Sequence, residues 1–154
     1  MQNIALFDNS IETVLPDDFT DMPLDLLQIM FPNEMRPQVI KGAADGSYAT
    51  FSLLDMSLSG QQLFSAIYGA RDLLQRFHPD CSNQKVYVIP LEDSMCGWFS
   101  FSAHDKKNFM FIIAIEDMMI LGTCGCPEDD EQRVYEMKMI FESIKTIPLP
   151  EEGN

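Results

Sequence analysis

The sequence predicts an α+β domain: a mainly antiparallel β-sheet of about six to eight strands, with two long helices and one short helix packed against it. Three observations carry that expectation. Four strand-like runs follow one another between Lys85 and Cys126 with only short polar separators. Two other stretches, opening near Ser59 and Cys126, place apolar residues at helical spacing. The first apolar runs of the chain are parted by Asp8-Asn9-Ser10, a hairpin punctuation.

In chain order, Ile4–Phe7 and Ile11–Leu15 read as the two strands of that hairpin, and Pro16-Asp17-Asp18 ends the second. Asp21-Met22-Pro23 opens the short helix, with Asp21 as cap and Pro23 in a first turn that needs no N–H. Leu24, Leu27 and Met30 form its apolar side, and Pro32 stops it. Gln38–Lys41 is extended, Ala44-Asp45-Gly46 turns, and Tyr48–Met56 is a β-rich strand.

Ser59-Gly60-Gln61-Gln62 has the form of a capping box for a helix running to about Phe77. Leu63, Ile67, Ala70, Leu74 and Phe77 fall on one stripe, which predicts that the whole stripe faces the core. Gly69, inside this helix, is expected to permit close packing on the sheet. The four later strands are Lys85–Pro90, Gly97–Ala103, Asn108–Ile115 and Met118–Cys126. Their separators, Glu92-Asp93-Ser94, His104-Asp105-Lys106-Lys107 and Glu116-Asp117, are hairpin-length, so the pairing is antiparallel. Phe99, Phe101 and Ala103 alternate with Trp98, Ser100 and Ser102, which predicts that Trp98 lies on the wetter side. The last helix is expected to begin at Pro127 with the acids Glu128–Glu131 in its first turn, and to bury Val134, Met137, Phe141 and Ile144.

Composition bounds the rest. With 154 residues, 46% of them hydrophobic and 22% charged, the chain can close one core, expected over 1–147, followed by a disordered acidic tail over 148–154. Twenty-four acids against ten bases leave a net charge of -14. Such a surface repels nucleic-acid phosphates and anionic lipid, which argues against both as partners, and suits a basic protein partner or simple solubility. Met1–Asn9 lacks the basic and apolar regions of a signal peptide, so a cytoplasmic location with reduced thiols is expected.

Several phrases resemble the PsbP-like superfamily, whose members include the extrinsic oxygen-evolving subunit of photosystem II, the nuclear Ran-release factor and many bacterial proteins. These are Val14-Leu15-Pro16-Asp17-Asp18-Phe19, with Phe19 where the family usually carries Trp; Met118-Met119-Ile120-Leu121-Gly122-Thr123-Cys124; and Ile140-Phe141-Glu142-Ser143-Ile144-Lys145. The resemblance spans about Ile11 to Ile147. It implies an early hairpin, a helix, a meander and a closing helix in a distant member of the bacterial type, with an accessory or binding role. It supplies no catalytic residue and no cofactor.

The residues themselves offer little chemistry. Cys124-Gly125-Cys126 puts two thiols on one face of a strand, where Cys96 on a neighbouring strand is placed to join them in a thiol–metal site. Cys81 and Cys96 are single, so the paired spacing of a tetrahedral zinc site is missing, and strand-end packing is the simpler role. His78 and His104 fall at a helix end and a hairpin turn, the first suited to a helix C-terminus and the second to solvent. Asp17-Asp18, Glu92-Asp93, Glu116-Asp117 and Glu128–Glu131 all sit at turns or a helix start, where carboxyls share a wet environment and give no acid–base pair. No phosphate loop and no nucleophile elbow is present in the sequence.

What remains is apolar surface. Phe31, Met35 and Trp98 are the candidate partner-binding residues, because aromatic and Met side chains are favoured at interface centres. The expected function is therefore a non-catalytic protein-binding module: an accessory, chaperone, adaptor or immunity-type protein. Two alternatives stand beside it. One is a small-molecule-binding or enzymatic domain with a pocket between sheet and helix, and the other is the thiol–metal site at Cys124 and Cys126.

Overall fold

Hairpins build most of the molecule. A computed structural model of the chain describes residues 1–23, 36–81 and 84–148. The strands are β1 (Gln2–Leu6), β2 (Ile11–Leu15), β3 (Thr20–Asp21), β4 (Val39–Gly42), β5 (Tyr48–Leu54), β6 (Tyr87–Pro90), β7 (Ser94–Ala103), β8 (Lys106–Ile115), β9 (Met118–Pro127) and β10 (Lys145–Thr146). Two α-helices, α1 (Gly60–Phe77) and α2 (Glu131–Glu142), and a 3-10 turn at Pro79–Cys81 complete the described elements. The expected short helix after Pro23 falls on residues 24–35, and all but the first residue of the expected tail on 149–154; these lie outside the described residues.

The α+β class is as expected, but ten antiparallel strands replace the six to eight predicted, and they divide into two sheets. The small sheet has the order β1-β2-β10, and the large one β3-β4-β5-β9-β8-β7-β6. The extra count comes mainly from β3 and β10, two-residue strands too short to leave a pattern in the sequence.

The turns set the register. His104 and Asp105 both take positive φ, 54° and 61°, and link Ala103 to Lys106 as a two-residue turn. Positive φ at both centres matches the right-handed twist of the flanking strands. Lys106 and Lys107, expected in the turn, therefore already pair with Ala103 and Ser102. Between β1 and β2, Phe7, Asp8 and Asn9 all have positive φ, and the Ser10 N–H and hydroxyl both donate to the Phe7 carbonyl.

The two helices begin differently. Ser59 caps α1 by the expected capping box: its hydroxyl accepts from the Gln62 N–H, and Gln62 Oε1 accepts from the Ser59 N–H. Pro127, expected in the first turn of the last helix, is instead the final residue of β9, paired with Lys106. Asp130 caps α2, its carboxylate accepting from the Arg133 N–H. Pairing with β8 extends β9 past the point where the apolar pattern ends.

One face of the large sheet is covered by α2 together with the small sheet. Phe51, Phe109, Phe111, Ile113, Cys124 and Cys126 pack there with Met137, Ile140, Phe141, Ile11 and Leu15. Thr13, 1% exposed, donates to the Ile140 carbonyl at 2.7 Å, and the Ser143 hydroxyl accepts from the Val14 N–H, so β2 satisfies the end of α2.

Among the described residues, the helix that covers the other face is α1. Leu63 and Ile67 are fully buried there with Phe99 and Ile112. Burying each is worth about 2 kcal/mol, enough to anchor the N-terminal half of the helix. Close approach is provided by Gly97 of β7, where an added Cβ would lie 3.0 Å from Ile67, and not by Gly69, which has open space around it. The stripe does not stay buried: Ala70 and Leu74 are only partly covered, and Phe77 is 74% exposed.

An apolar groove between α1 and the open half of the sheet

Alternation along β5 and β9 sends Phe51, Ile120 and Cys124 to the core face and Thr50, Ser52, Leu121 and Thr123 to the other. No described element covers those residues as α1 covers β7 and β8. Between them and the last turns of α1 lies a groove of about 570 Å³, walled by Leu73, Leu74, Phe77, Met110, Leu121 and Pro37. Leu73 is 52% exposed and Leu121 37% exposed. An exposed pair of large apolar residues one helical turn apart, beside exposed apolar sheet, is the kind of patch that marks an interaction site.

The groove's polar atoms lie on its floor. Thr50 Oγ1 and Thr123 Oγ1 are 2.7 Å apart, and Ser52 lies two residues along the same strand. His78, the C-cap of α1, lies at the rim. Among the described residues, no pair of carboxyls and no thiol lines this groove. Its chemistry is that of apolar contact with a few hydroxyl groups.

The residues singled out from the sequence are elsewhere. Phe31 and Met35 lie outside the described residues. Trp98 is half-buried on the core face instead of the wetter side. Its ring stacks on Tyr87 at 4.5 Å and meets Phe109 and Phe141 at 5.9 and 5.4 Å, with the Lys138 ammonium 5.6 Å above. The alternation holds, but both faces of β7 are covered, so period two does not distinguish a wet side.

Cys81, Cys96, Cys124 and Cys126 are all buried free thiols. Cys96 is not on a strand adjoining β9: β8 lies between, and Cys96 aligns through Ile113 with Ile120, four residues from Cys124. Among the described residues, no three His, Cys, Asp or Glu side chains gather as a metal site. Desolvation pushes the Cys96 thiol up to about 12 and Cys126 up to about 11, and holds Cys124 well above the usual range. Cys124 donates to the Met137 carbonyl at 3.6 Å. These are packing thiols, far from the ionisation a nucleophile or soft ligand needs.

The strongest cluster of charge is a clamp. Arg133 of α2 bridges Asp18 and Asp45, with Glu136 at 3.6 Å, and lies over the Phe19 ring. Desolvation opposes ionisation of Asp45, but the Ser47 N–H and Arg133 outweigh it and hold the carboxyl below its ordinary value. The cluster joins the β2–β3 loop, the β4–β5 turn and α2, and its acids are occupied by that work.

Among the described residues, no helix is long and apolar enough to cross a membrane. No family model matches the chain, and no curated protein matches it significantly. The fold is similar to a crystal structure of a protein from Bacteroides thetaiotaomicron VPI-5482, with a TM-score of 0.54 at 9% identity. That similarity covers 94% of this chain and 46% of the other, so the chain spans about half the length of that structure and shares its fold with it.

Proposed function

We propose that this protein is a non-catalytic binding module that holds an apolar segment of a partner protein, flanked by basic residues, in the groove beside α1. One observation carries the reading: Phe77 and Leu73, 74% and 52% exposed, face an apolar cavity of about 570 Å³ instead of the core. The net charge of -14 supplies the second half of the occupant's chemistry, since basic flanks are drawn to such a surface and acidic ones repelled. The same charge opposes a second copy of this chain as the occupant.

The resemblance to the PsbP-like superfamily supports an accessory role of this kind. The pocket between sheet and helix also suits the small-molecule alternative in position. Among the described residues its walls carry no carboxyl and no thiol, which favours a docking surface.

Fluorescence anisotropy with a labelled peptide of alternating valine and leucine between lysine pairs tests this reading. Binding that weakens steeply with salt, and that a glutamate-flanked version does not share, is the expected result. Equal binding of both peptides, or binding of neither, would overturn it. A concentration-dependent dimer dispersed by Phe77→Asp would replace the partner with a second copy.

A further inference from the structure

The hydroxyls on the groove floor specify how its occupant lies. Thr50 Oγ1 accepts from the Thr123 N–H at 3.1 Å and is 2.7 Å from Thr123 Oγ1. Two hydroxyl protons are shared by this pair, and only one can lie between the oxygens. Thr50 is 2% exposed against a half-buried Thr123, so its hydroxyl is the less accessible of the two to water. A buried donor without an acceptor costs about 1–3 kcal/mol, so Thr50 donates to Thr123. The remaining proton therefore belongs to Thr123, which is half-buried and lines the groove.

The floor thus presents a fixed, neutral donor among apolar walls. Ser52 presents a second hydroxyl two residues along β5, beside Leu121. Ser52 and Thr123 stand diagonally across the β5–β9 pair, about 7–8 Å apart, close to the repeat of about 6.8 Å at which an extended chain shows successive carbonyls on one side. A helix does not offer such a row, because its carbonyls are occupied within the helix except in the last turn. The charge of -14 disfavours a carboxylate as the acceptor and leaves a neutral carbonyl.

Resting on the docking role proposed above, we infer that the groove takes its apolar segment in extended form, with main-chain carbonyls accepting from Thr123 and Ser52. Thr123 and Ser52 are then specificity-determining residues: they select an extended segment over a helical one of equal apolarity.

The test uses the full chain with the lysine-flanked valine–leucine peptide and a hydrocarbon-stapled helical peptide of matched composition. The extended peptide is expected to bind more tightly than the stapled one. Thr123→Val and Ser52→Ala are each expected to weaken it about five- to tenfold, and Thr123→Ser, which keeps the hydroxyl, to restore it. Thr123→Val also removes the acceptor of Thr50, so Ser52→Ala serves as the second variant, because the Ser52 hydroxyl makes no hydrogen bond among the described residues. Unchanged affinity in Ser52→Ala and Thr123→Val, or tighter binding of the stapled helix, would overturn the inference. If Phe77→Asp still abolished binding in that case, the docking role would stand without it. No binding of either peptide to the unaltered chain would end both.

Discussion

At the level of single residues, the tightest constraints are two glycines of β9. A Cβ at Gly122 would lie 2.2 Å from the Phe111 ring and 2.5 Å from the Thr50 carbonyl. One at Gly125 would lie 2.6 Å from the Tyr48 ring and 2.7 Å from Asn108 Oδ1. Ring and ladder leave no room to yield, so Gly122→Ala is expected to destabilise by about 3 kcal/mol, read as a lowered urea midpoint. Gly69→Ala, in open space on a helix, should instead stabilise by about 0.5–1 kcal/mol. The sequence pointed to Gly69 because it sits in a helical pattern. It gave no sign of Gly122 and Gly125, whose role depends on Phe111 and Tyr48, residues distant in sequence. The thiols give a second test. With the Cys96, Cys124 and Cys126 pKa values raised by burial, the native protein at pH 8 should react negligibly with a thiol reagent, while guanidinium should expose all four cysteines. Rapid labelling of Cys124 or Cys126 in the native state would contradict the packing role.

Among elements, α2 is held by the Arg133 clamp and by Thr13 and Ser143 at its end. The folded-state pKa of Asp45 is depressed, so its contribution is present above the unfolded value, near 3.8, and is lost as pH falls through that value and below. Urea unfolding should therefore show stability falling with pH in this acidic window, and Arg133→Gln should flatten that fall. An unchanged pH slope in the variant would remove the clamp from the account. The helices also show what a pattern conveys. The capping box at Ser59 was legible because it is a local arrangement of neighbouring residues. The start of α2 was misplaced because β9 gains its last residues from pairing with β8, a contact no local pattern contains. The stripe from Leu63 to Phe77 was recognised as one apolar face. Its burial depends on how far the sheet extends beneath it, and that is set by the strand order.

At the scale of the molecule, α2 and the small sheet close one face of the large sheet, while among the described residues α1 closes half of the other. Antiparallel α+β architecture followed from the run of hairpins, and strong acidity from composition. The candidate site did not, because Trp98 was selected by residue type and Phe77 was assigned to the core by its spacing. Both expectations fail, since the aromatic expected outside is packed inside and the one expected inside is exposed, and the groove lies where Phe77 is exposed. The measurement that tests this most directly is the affinity of the lysine-flanked valine–leucine peptide for the unaltered chain and for Phe77→Asp, with thermal unfolding of both. Phe77 is 74% exposed, so the account predicts an unfolding temperature unchanged to within a few degrees and a loss of affinity of about a hundredfold or more. Equal affinity in the two proteins, or a Phe77→Asp chain that no longer folds, would contradict it.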